Sequence, residues 1–454
     1  MNECIFREYD IRGIVEQDFN TDMVVNLGKA FGTYLKNQEQ SCMSISGDVR
    51  RTTDKLKKDF ISGVISTGID VYDMGVLPTP VNYFSLFNTN IPNSVQVTGS
   101  HNPSNYNGFK MSVNRLPFYG DSIQNLKKII LDGTFIISDK LGQINKVEII
   151  DEYMNYIIND IDIDRPLKVA MDCGNAVAGI IAPRLFKSFK IDLEEIYCDI
   201  DPDFPNHHPD PTVDDNLVDL SKCVVENKCD LGIAYDGDAD RVVAIDEKGN
   251  IVRSDVLISL FVNDIILEND PVVYDVKCSR SLEDVIKSVK GIPVLSKTGH
   301  SHIKNKMYET KSKVGGEMSG HIFFSHRFFG FDDGIYVSLR LIELIAKSDK
   351  KLSELVSVIP KYYSTPEIRI DCKDDIVKKD ITNRAIDYFV DKYECDQTDG
   401  VKVFFKNGWG LIRSSNTQPV IVCRFEADNR DNLSKIKNKI FDKLKEFGIS
   451  DVEF

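Results

Sequence analysis

Three carboxylates stand at alternate positions in one short stretch: Asp236, Asp238 and Asp240, in LGIAYDGDADR. Ionised side chains this close repel, and a bound cation is the usual remedy. As an EF-hand, the loop would carry Glu247 at its twelfth position, but Arg241 stands where the sixth position needs Gly, and the flanks LGIAY and VVAID read as strands. A strand-end loop of hard oxygen ligands suits Mg2+, which readily shares its shell with phosphate oxygens. Arg241, directly after the carboxylates, suits a second contact to an anion.

In VQVTGSHNPSNYNGFK, residues 95–110, a buried-strand pattern stops at Gly99 and presents Ser100 and His101. The spacing is not G-x-S-x-G, and adjacent side chains of extended chain point apart, so His101 is expected to be a poor base for Ser100. A serine that carries a phosphoryl group needs instead a metal and cations around the phosphate. The Asp loop would supply the first, and Lys110 one of the second.

Two further clusters fit a phosphorylated polyol. Glu317 and Ser319, in GGEMSGH, sit at i and i+2, and a carboxylate can accept from two neighbouring hydroxyls at once. Arg413, Ser414, Ser415, Asn416 and Thr417 bring a guanidinium, three hydroxyls and an amide into one turn, a phosphate cradle by composition. The paired histidines of FPNHHPDP lie among prolines without a cysteine cluster and read as an extended loop, whereas His300 and His321 fall in strand-end loops.

The elements that must position these groups repeat. Segments beginning at Ser44, Leu167 and Pro271 each read as strand, polar loop, amphipathic helix and second strand; in the first, Leu56, Phe60, Val64 and Ile65 recur at helical spacing. Such units build parallel sheets with right-handed crossovers. Each is followed by another apolar run that ends in one of the unusual loops, TGSHNP, DGDADR or GEMSGH. Loops at strand ends of open α/β sheets are where ligands bind. The tail differs: strand, turn, strand and an amphipathic helix make it α+β. The fold class is therefore α/β, three similar α/β domains with mixed sheets plus a C-terminal α+β domain, arranged around a central cleft. The expected domains are 1–147 (the Ser100 loop), 148–250 (metal), 251–362 (sugar) and 363–454 (distal phosphate).

Composition narrows the partners. The 454 residues carry a net charge of −14 without a long basic block, which excludes nucleic-acid binding through a basic surface. Residues 256–267, the longest apolar run, include Asn263 and Asp264 and are too short to span a bilayer. The ten scattered cysteines form no C-x-x-C pair, and the charged N-terminus has no apolar core of a signal peptide; both suit a reducing cytoplasm. No feature fixes an oligomeric state.

With all four loops in view, the sequence resembles the α-D-phosphohexomutase superfamily, closest to its bacterial phosphomannomutase/phosphoglucomutase branch. The resemblance spans nearly the whole chain and rests on FREYDIRG, TGSHNP, NGFK, DGDADR, DVKCSRSL, KTGH, GEMSGH with FFGFDDGIY, and RSSNTQP. Phosphoglucosamine mutases, which share the machinery, usually carry Gln where this chain has Met318. Ala239 replaces the Gly of the common DGDGDR, a tolerable change where φ stays negative. The resemblance implies a four-domain isomerase acting on hexose 1- and 6-phosphates. A phosphoserine at Ser100 would bind Mg2+ together with Asp236, Asp238 and Asp240. Tyr9, Arg12, Lys110, Arg241, Lys277, His300 and His321 would line the site, Lys110 and His321 moving protons, and glucose 1,6-bisphosphate would be the activator. Phosphoglucosamine mutase is the alternative with the same machinery, and a metal-dependent sugar phosphatase and an inactive sugar-phosphate-binding protein are the alternatives from other classes.

Overall fold

The computed structural model describes residues 2–415 and 419–449. Each of the three repeats forms the expected unit. The strand Cys42–Gly47 leads through the helix Thr53–Ile65 to the strand Asp70–Val76, which pairs with it in parallel. Leu56, Phe60 and Val64 of that helix are buried in the core, and Ile65 packs against it. The second unit runs Leu167–Asp172, the short helix Ala182–Phe186, Ile191–Ile196; the third runs Pro271–Asp275, Arg280–Ser288, Ile292–Ser296. Their strand pairs are also parallel.

The strand before each unusual loop adds, again in parallel, to the other side of the unit's first strand. These strands are Ser94–Val97, Leu231–Tyr235 and Val314–Gly316. Each loop thus leaves the carboxyl end of a strand in a parallel triplet, where an open α/β sheet presents its ligand-binding loops. Every residue of the first two loop strands is buried, as parallel strands covered on both faces must be. A return strand then pairs antiparallel, Tyr106–Val113 in the first sheet and Val242–Asp246 in the second, so both sheets are mixed.

The tail is an antiparallel sheet with Val420–Ala427 between Gly408–Ser414 and Ile368–Asp371. The helices Asp375–Lys392 and Arg430–Glu446 pack against it, burying Phe389, Ile440 and Phe441 with Phe425. Asp374 and Asn429 cap these helices, their side chains accepting from backbone N–H groups of the first turn. Asn416 and Thr417 lie outside the described residues.

The chain forms two compact units, Met1–Leu257 with Ser319–Val356, and Ile258–Met318 with Ser357–Phe454. In the first, an aromatic cluster anchors the later segment: the Phe329 ring stacks on Phe87 at 5.0 Å and meets Tyr156 at 5.1 Å. The apolar run near residue 260 is the helix Ser254–Ile265, and among the described residues no helix is long and apolar enough to cross a membrane. All ten cysteines are free thiols.

Candidate active site

Within the first unit the Ser100 loop and the Asp loop meet. Ser100 is 1% exposed, and its Oγ lies 3.1 Å from Asp236 Oδ2. Its backbone takes a left-handed turn, φ 49°, fixed from several sides. The Ser100 N–H donates to Thr98 Oγ1 at 2.8 Å, and its carbonyl accepts from Arg50 Nη2 at 2.7 Å. Asp48 in turn accepts from Thr98 Oγ1 at 2.8 Å and from the Gly99 N–H at 3.1 Å. The loop is therefore a buried turn braced by the Asp48–Arg50 segment that ends the neighbouring strand.

That turn corrects the expectation for His101. The side chains of Ser100 and His101 do not point apart: positive φ at Ser100 brings its Oγ to 3.1 Å from His101 Nδ1. Burial, with Arg241 and Arg12 nearby, holds the imidazole well below its usual pKa, so His101 is close to Ser100 but a weak base there, as expected.

Asp236, Asp238 and Asp240 are all fully buried, with carboxylate oxygens within 4.8 Å of one another. Lys110, on the return strand opposite Gln96, inserts its Nζ between Asp238 Oδ2 (2.6 Å) and Asp240 Oδ2 (2.5 Å). Burial would lower the Lys110 pKa, but Asp238 and Asp240 outweigh it and raise it, so Lys110 is a fixed ammonium. That suits charge neutralisation around a phosphate. Burial, then Asp238 and Asp240, pushes the Asp236 carboxyl well above its usual range. Three carboxylates exceed what Lys110 and Arg241 neutralise, and Asp238 Oδ1 and Asp240 Oδ1 are buried without a hydrogen-bond partner. Hard oxygens, excess negative charge and two unsatisfied acceptors fit a divalent cation.

Ala239 has φ 63° and is fully buried, so the position does need positive φ, contrary to the condition under which Ala would be harmless. Its backbone is held by an N–H bond to the Asp236 carbonyl at 3.1 Å and by the Gly334 N–H, which donates to its own carbonyl at 3.0 Å.

His321 completes this side. Arg241 Nε donates to His321 Nε2 at 3.0 Å, while His321 Nδ1 lies 2.8 Å from Asp332 Oδ2 and 3.5 Å from Asp240 Oδ1. The Arg241 N–H donates to Asp236 Oδ1 at 3.1 Å. Arg12 ion-pairs with Asp10, and its Nη1 donates to Asn102 Oδ1 at 3.2 Å, next to the Ser100 turn. Tyr9 is half-buried in the bend before the strand Ile11–Ile14, and Ser319 also belongs to this unit.

The second unit gathers a different set. Lys277 Nζ pairs with Glu367 Oε2 at 3.2 Å and lies 3.9 Å from Asp275 Oδ2. Glu367 is held down to about 2, chiefly by the Lys277 ammonium. Glu317, 2% exposed, accepts from the Gly299 N–H at the start of the helix His300–Thr310. Asp399 Oδ2 accepts from Arg413 Nε at 2.8 Å and from the Thr298 N–H at 3.1 Å, tying the tail's turn to the loop that carries His300. Ser414 Oγ donates to Thr382 Oγ1 at 3.0 Å, and the Ser415 carbonyl accepts from Lys378 Nζ at 2.8 Å.

Four family models cover the chain in order. Phosphoglucomutase/phosphomannomutase alpha/beta/alpha domains I, II and III match residues 3–136, 151–249 and 253–362, and the C-terminal domain of the same family matches 367–443. The chain belongs to the phosphoglucomutase/phosphomannomutase family. It is similar to the phosphomannomutase/phosphoglucomutase of Pseudomonas aeruginosa, 40% identical over 97% of this chain and 95% of that protein. The phosphoglucomutase of Neisseria gonorrhoeae is 37% identical over 96% and 95% of the two chains. The crystal structure of a phosphoglucomutase/phosphomannomutase family protein from Burkholderia thailandensis superposes with a TM-score of 0.92 at 36% identity, covering 99% of both chains. Its four α/β domains are those of a phosphohexomutase, an isomerase of hexose phosphates.

Several phosphohexomutase residues at this site escaped the sequence reading. Thr79 donates its Oγ1 to Asp238 Oδ2 at 2.6 Å and its N–H to the Asp238 carbonyl at 3.0 Å. Asp332 lies against His321, and Asp48 and Arg50 brace the Ser100 turn. The Asp48–Arg50 loop could have been found, because it too ends a strand of the repeat. FPNHHPDP is the extended loop expected of it, but it also supports the site: His208 Nε2 meets the His101 carbonyl, and the Pro209 carbonyl accepts from the Gly237 N–H at 3.1 Å.

Proposed function

We propose that this phosphohexomutase interconverts the 1- and 6-phosphates of mannose and of glucose through a phosphate carried on Ser100 and a hexose 1,6-bisphosphate. The observation that supports it most is the buried Ser100 Oγ, 3.1 Å from Asp236 in a cluster with unsatisfied carboxylate oxygens. Asp236, Asp238 and Asp240, with the phosphate on Ser100, would hold Mg2+, which when bound supplies Lewis-acid neutralisation of phosphoryl charge.

The chain's own residues do the rest. A sugar hydroxyl attacks the phosphorus while its proton passes to His321 Nε2, which Arg241 Nε releases as it turns to the phosphate, on a ring whose Nδ1 faces Asp332. The bond from phosphorus to Ser100 Oγ breaks and that oxygen takes a proton from His101 Nδ1, to be returned when Ser100 is rephosphorylated, with Lys110, Arg12 and Arg241 supplying positive charge around the transferring group. The bisphosphate turns over and returns its other phosphate to Ser100, whose hydroxyl proton goes to His101 Nδ1. Glu317 and Ser319 are assigned to the sugar hydroxyls. Tyr9, Lys277 and His300, with the turn Arg413, Ser414, Ser415, Asn416 and Thr417, are assigned to the sugar and its distal phosphate. Glucose 1,6-bisphosphate restores the phosphate on Ser100 when it is lost. The free cysteines suit work in the cytoplasm.

The test is turnover of mannose, glucose and glucosamine 1-phosphates with a trace of glucose 1,6-bisphosphate. Mannose and glucose, which differ at C2 and share O3 and O4, should have kcat/KM values within about two orders of magnitude. Dominant release of inorganic phosphate would make the protein a phosphatase. Preference for the amino sugar would make it a phosphoglucosamine mutase, and no turnover a binding protein.

A further inference from the structure

Cys173 and Cys198 lie with their sulfurs 3.4 Å apart, one residue beyond the parallel strand Leu167–Asp172 and two beyond Ile191–Ile196. Asp172 and Ile196 are in register, so the thiols occupy the carboxyl edge of the sheet from which the Asp loop also leaves. Cys173 is fully buried, and burial with the neighbouring Cys198 raises its pKa well above that of a free thiol. Cys198 is half-buried, less enclosed than Cys173. Neither thiol has a part in phosphoryl transfer.

The loops that carry this pair connect bond by bond to the site. The Asn175 N–H donates to the Tyr197 carbonyl at 2.7 Å, and Asn175 Nδ2 to the Asp199 carbonyl at 2.9 Å. Asn206 Nδ2 donates to Asn175 Oδ1 at 2.7 Å, and His207 Nε2 lies 3.0 Å from Asp172 Oδ2. His208 and Pro209 then hold the His101 carbonyl and the Gly237 N–H. The backbone of the Ser100 turn and of the metal loop thus rests on the segment that begins at Cys198.

We propose that Cys173 and Cys198 form a dithiol that a hydroperoxide converts reversibly to a disulfide, and that closing it slows phosphoryl transfer by shifting the 199–209 loop beneath Ser100. Cys198 sulfur attacks a peroxide oxygen; the S–O bond forms, the O–O bond breaks and an alcohol or water leaves, giving a sulfenic acid. Cys173 sulfur attacks that sulfur; the S–S bond forms, the S–O bond breaks and water leaves with the Cys173 proton. Two thiols lose two electrons and the peroxide gains them. A disulfide needs its sulfurs near 2.05 Å, so they must approach by roughly 1.3 Å. Cys173 is fixed beside a central strand, and the movement falls on Cys198 and the loop it begins.

The experiment treats the folded enzyme with hydrogen peroxide, followed by non-reducing peptide mapping and turnover assays, then dithiothreitol. Expected are a linked peptide containing Cys173 and Cys198, a fall of about tenfold or more in kcat, and, with the reductant, loss of the linked peptide and return of kcat. Cys198→Ser and Cys173→Ser should keep untreated activity and resist peroxide. If the buried Cys173 variant does not fold, Cys198→Ser alone decides. Absence of the linked peptide, a linked peptide with unchanged kcat, or inactivation of Cys198→Ser equal to wild type would each overturn the proposal. The peptide map reads the bond whatever reaction the enzyme catalyses.

Discussion

Gly237 runs against the carbonyl oxygen of Ser100, so closely that a Cβ at 237 would sit 2.3 Å from it. The Asp loop and the serine turn are packed backbone on backbone, next to Ser100 Oγ and the carboxylates. Gly237→Ala must push the two apart. Its expected cost is about 1–3 kcal/mol in stability, with a fall of about a hundredfold in kcat. Unfolding curves and kinetics check this; a variant with wild-type kcat would mean that the spacing does not matter.

Ala239 makes the opposite prediction. A buried alanine at φ 63° is strained where glycine would not be. Ala239→Gly should stabilise the protein by about 0.5–1 kcal/mol, read by chemical denaturation, with kcat little changed because the carbonyls on either side keep their partners. Loss of stability would show that the alanine methyl contributes more by packing than the backbone costs.

The metal should be visible without any assay of turnover. If Mg2+ binds among Asp236, Asp238 and Asp240, the thermal midpoint should rise with its concentration, by about 2.7 kcal/mol of stability at a hundred times Kd. Asp238→Asn should abolish that rise. A midpoint indifferent to Mg2+, or an equal rise in the variant, contradicts the assignment.

The Lys277–Glu367 pair gives a pH dependence. Glu367 is held at about 2 in the folded protein against an ordinary 4.5, first by Lys277. A depressed carboxylate stabilises the fold fully above its unfolded pKa, and that contribution is lost as pH falls from about 4.5 towards 2. The stability difference between wild type and Glu367→Gln should therefore be constant above about pH 5 and shrink below it. A difference that persists unchanged at about pH 3 would show that the pair is not what holds the carboxylate down.

Much of this was legible in sequence because it is periodic. Three strand-helix-strand repeats, each followed by a buried strand, dictate three equivalent loop positions, and the residues there are unusual enough to name a chemistry. What escaped depends on φ or on long-range packing. The placement of His101 turns on the left-handed backbone of Ser100, which no residue type announced, since serine is not a usual left-handed residue. The need at Ala239 was hidden for the same reason. Thr79 reaches Asp238 from a helix start in another domain, and Asp332 reaches His321 across a loop closed by aromatic rings. Neither distance has a local pattern behind it. Lys110 was found by its type, but its contacts with Asp238 and Asp240 had no local pattern behind them.

The most direct measurement follows a phosphate from the protein. Enzyme labelled with radioactive phosphate at Ser100, confirmed by peptide mapping, is mixed in a single turnover with unlabelled glucose 1-phosphate and Mg2+. The account predicts that label leaves Ser100 and appears in glucose 1,6-bisphosphate and glucose 6-phosphate, while Ser100→Ala takes up no label and turns over no substrate. Label that stays on the protein while glucose 6-phosphate forms, or leaves only as inorganic phosphate, would contradict it.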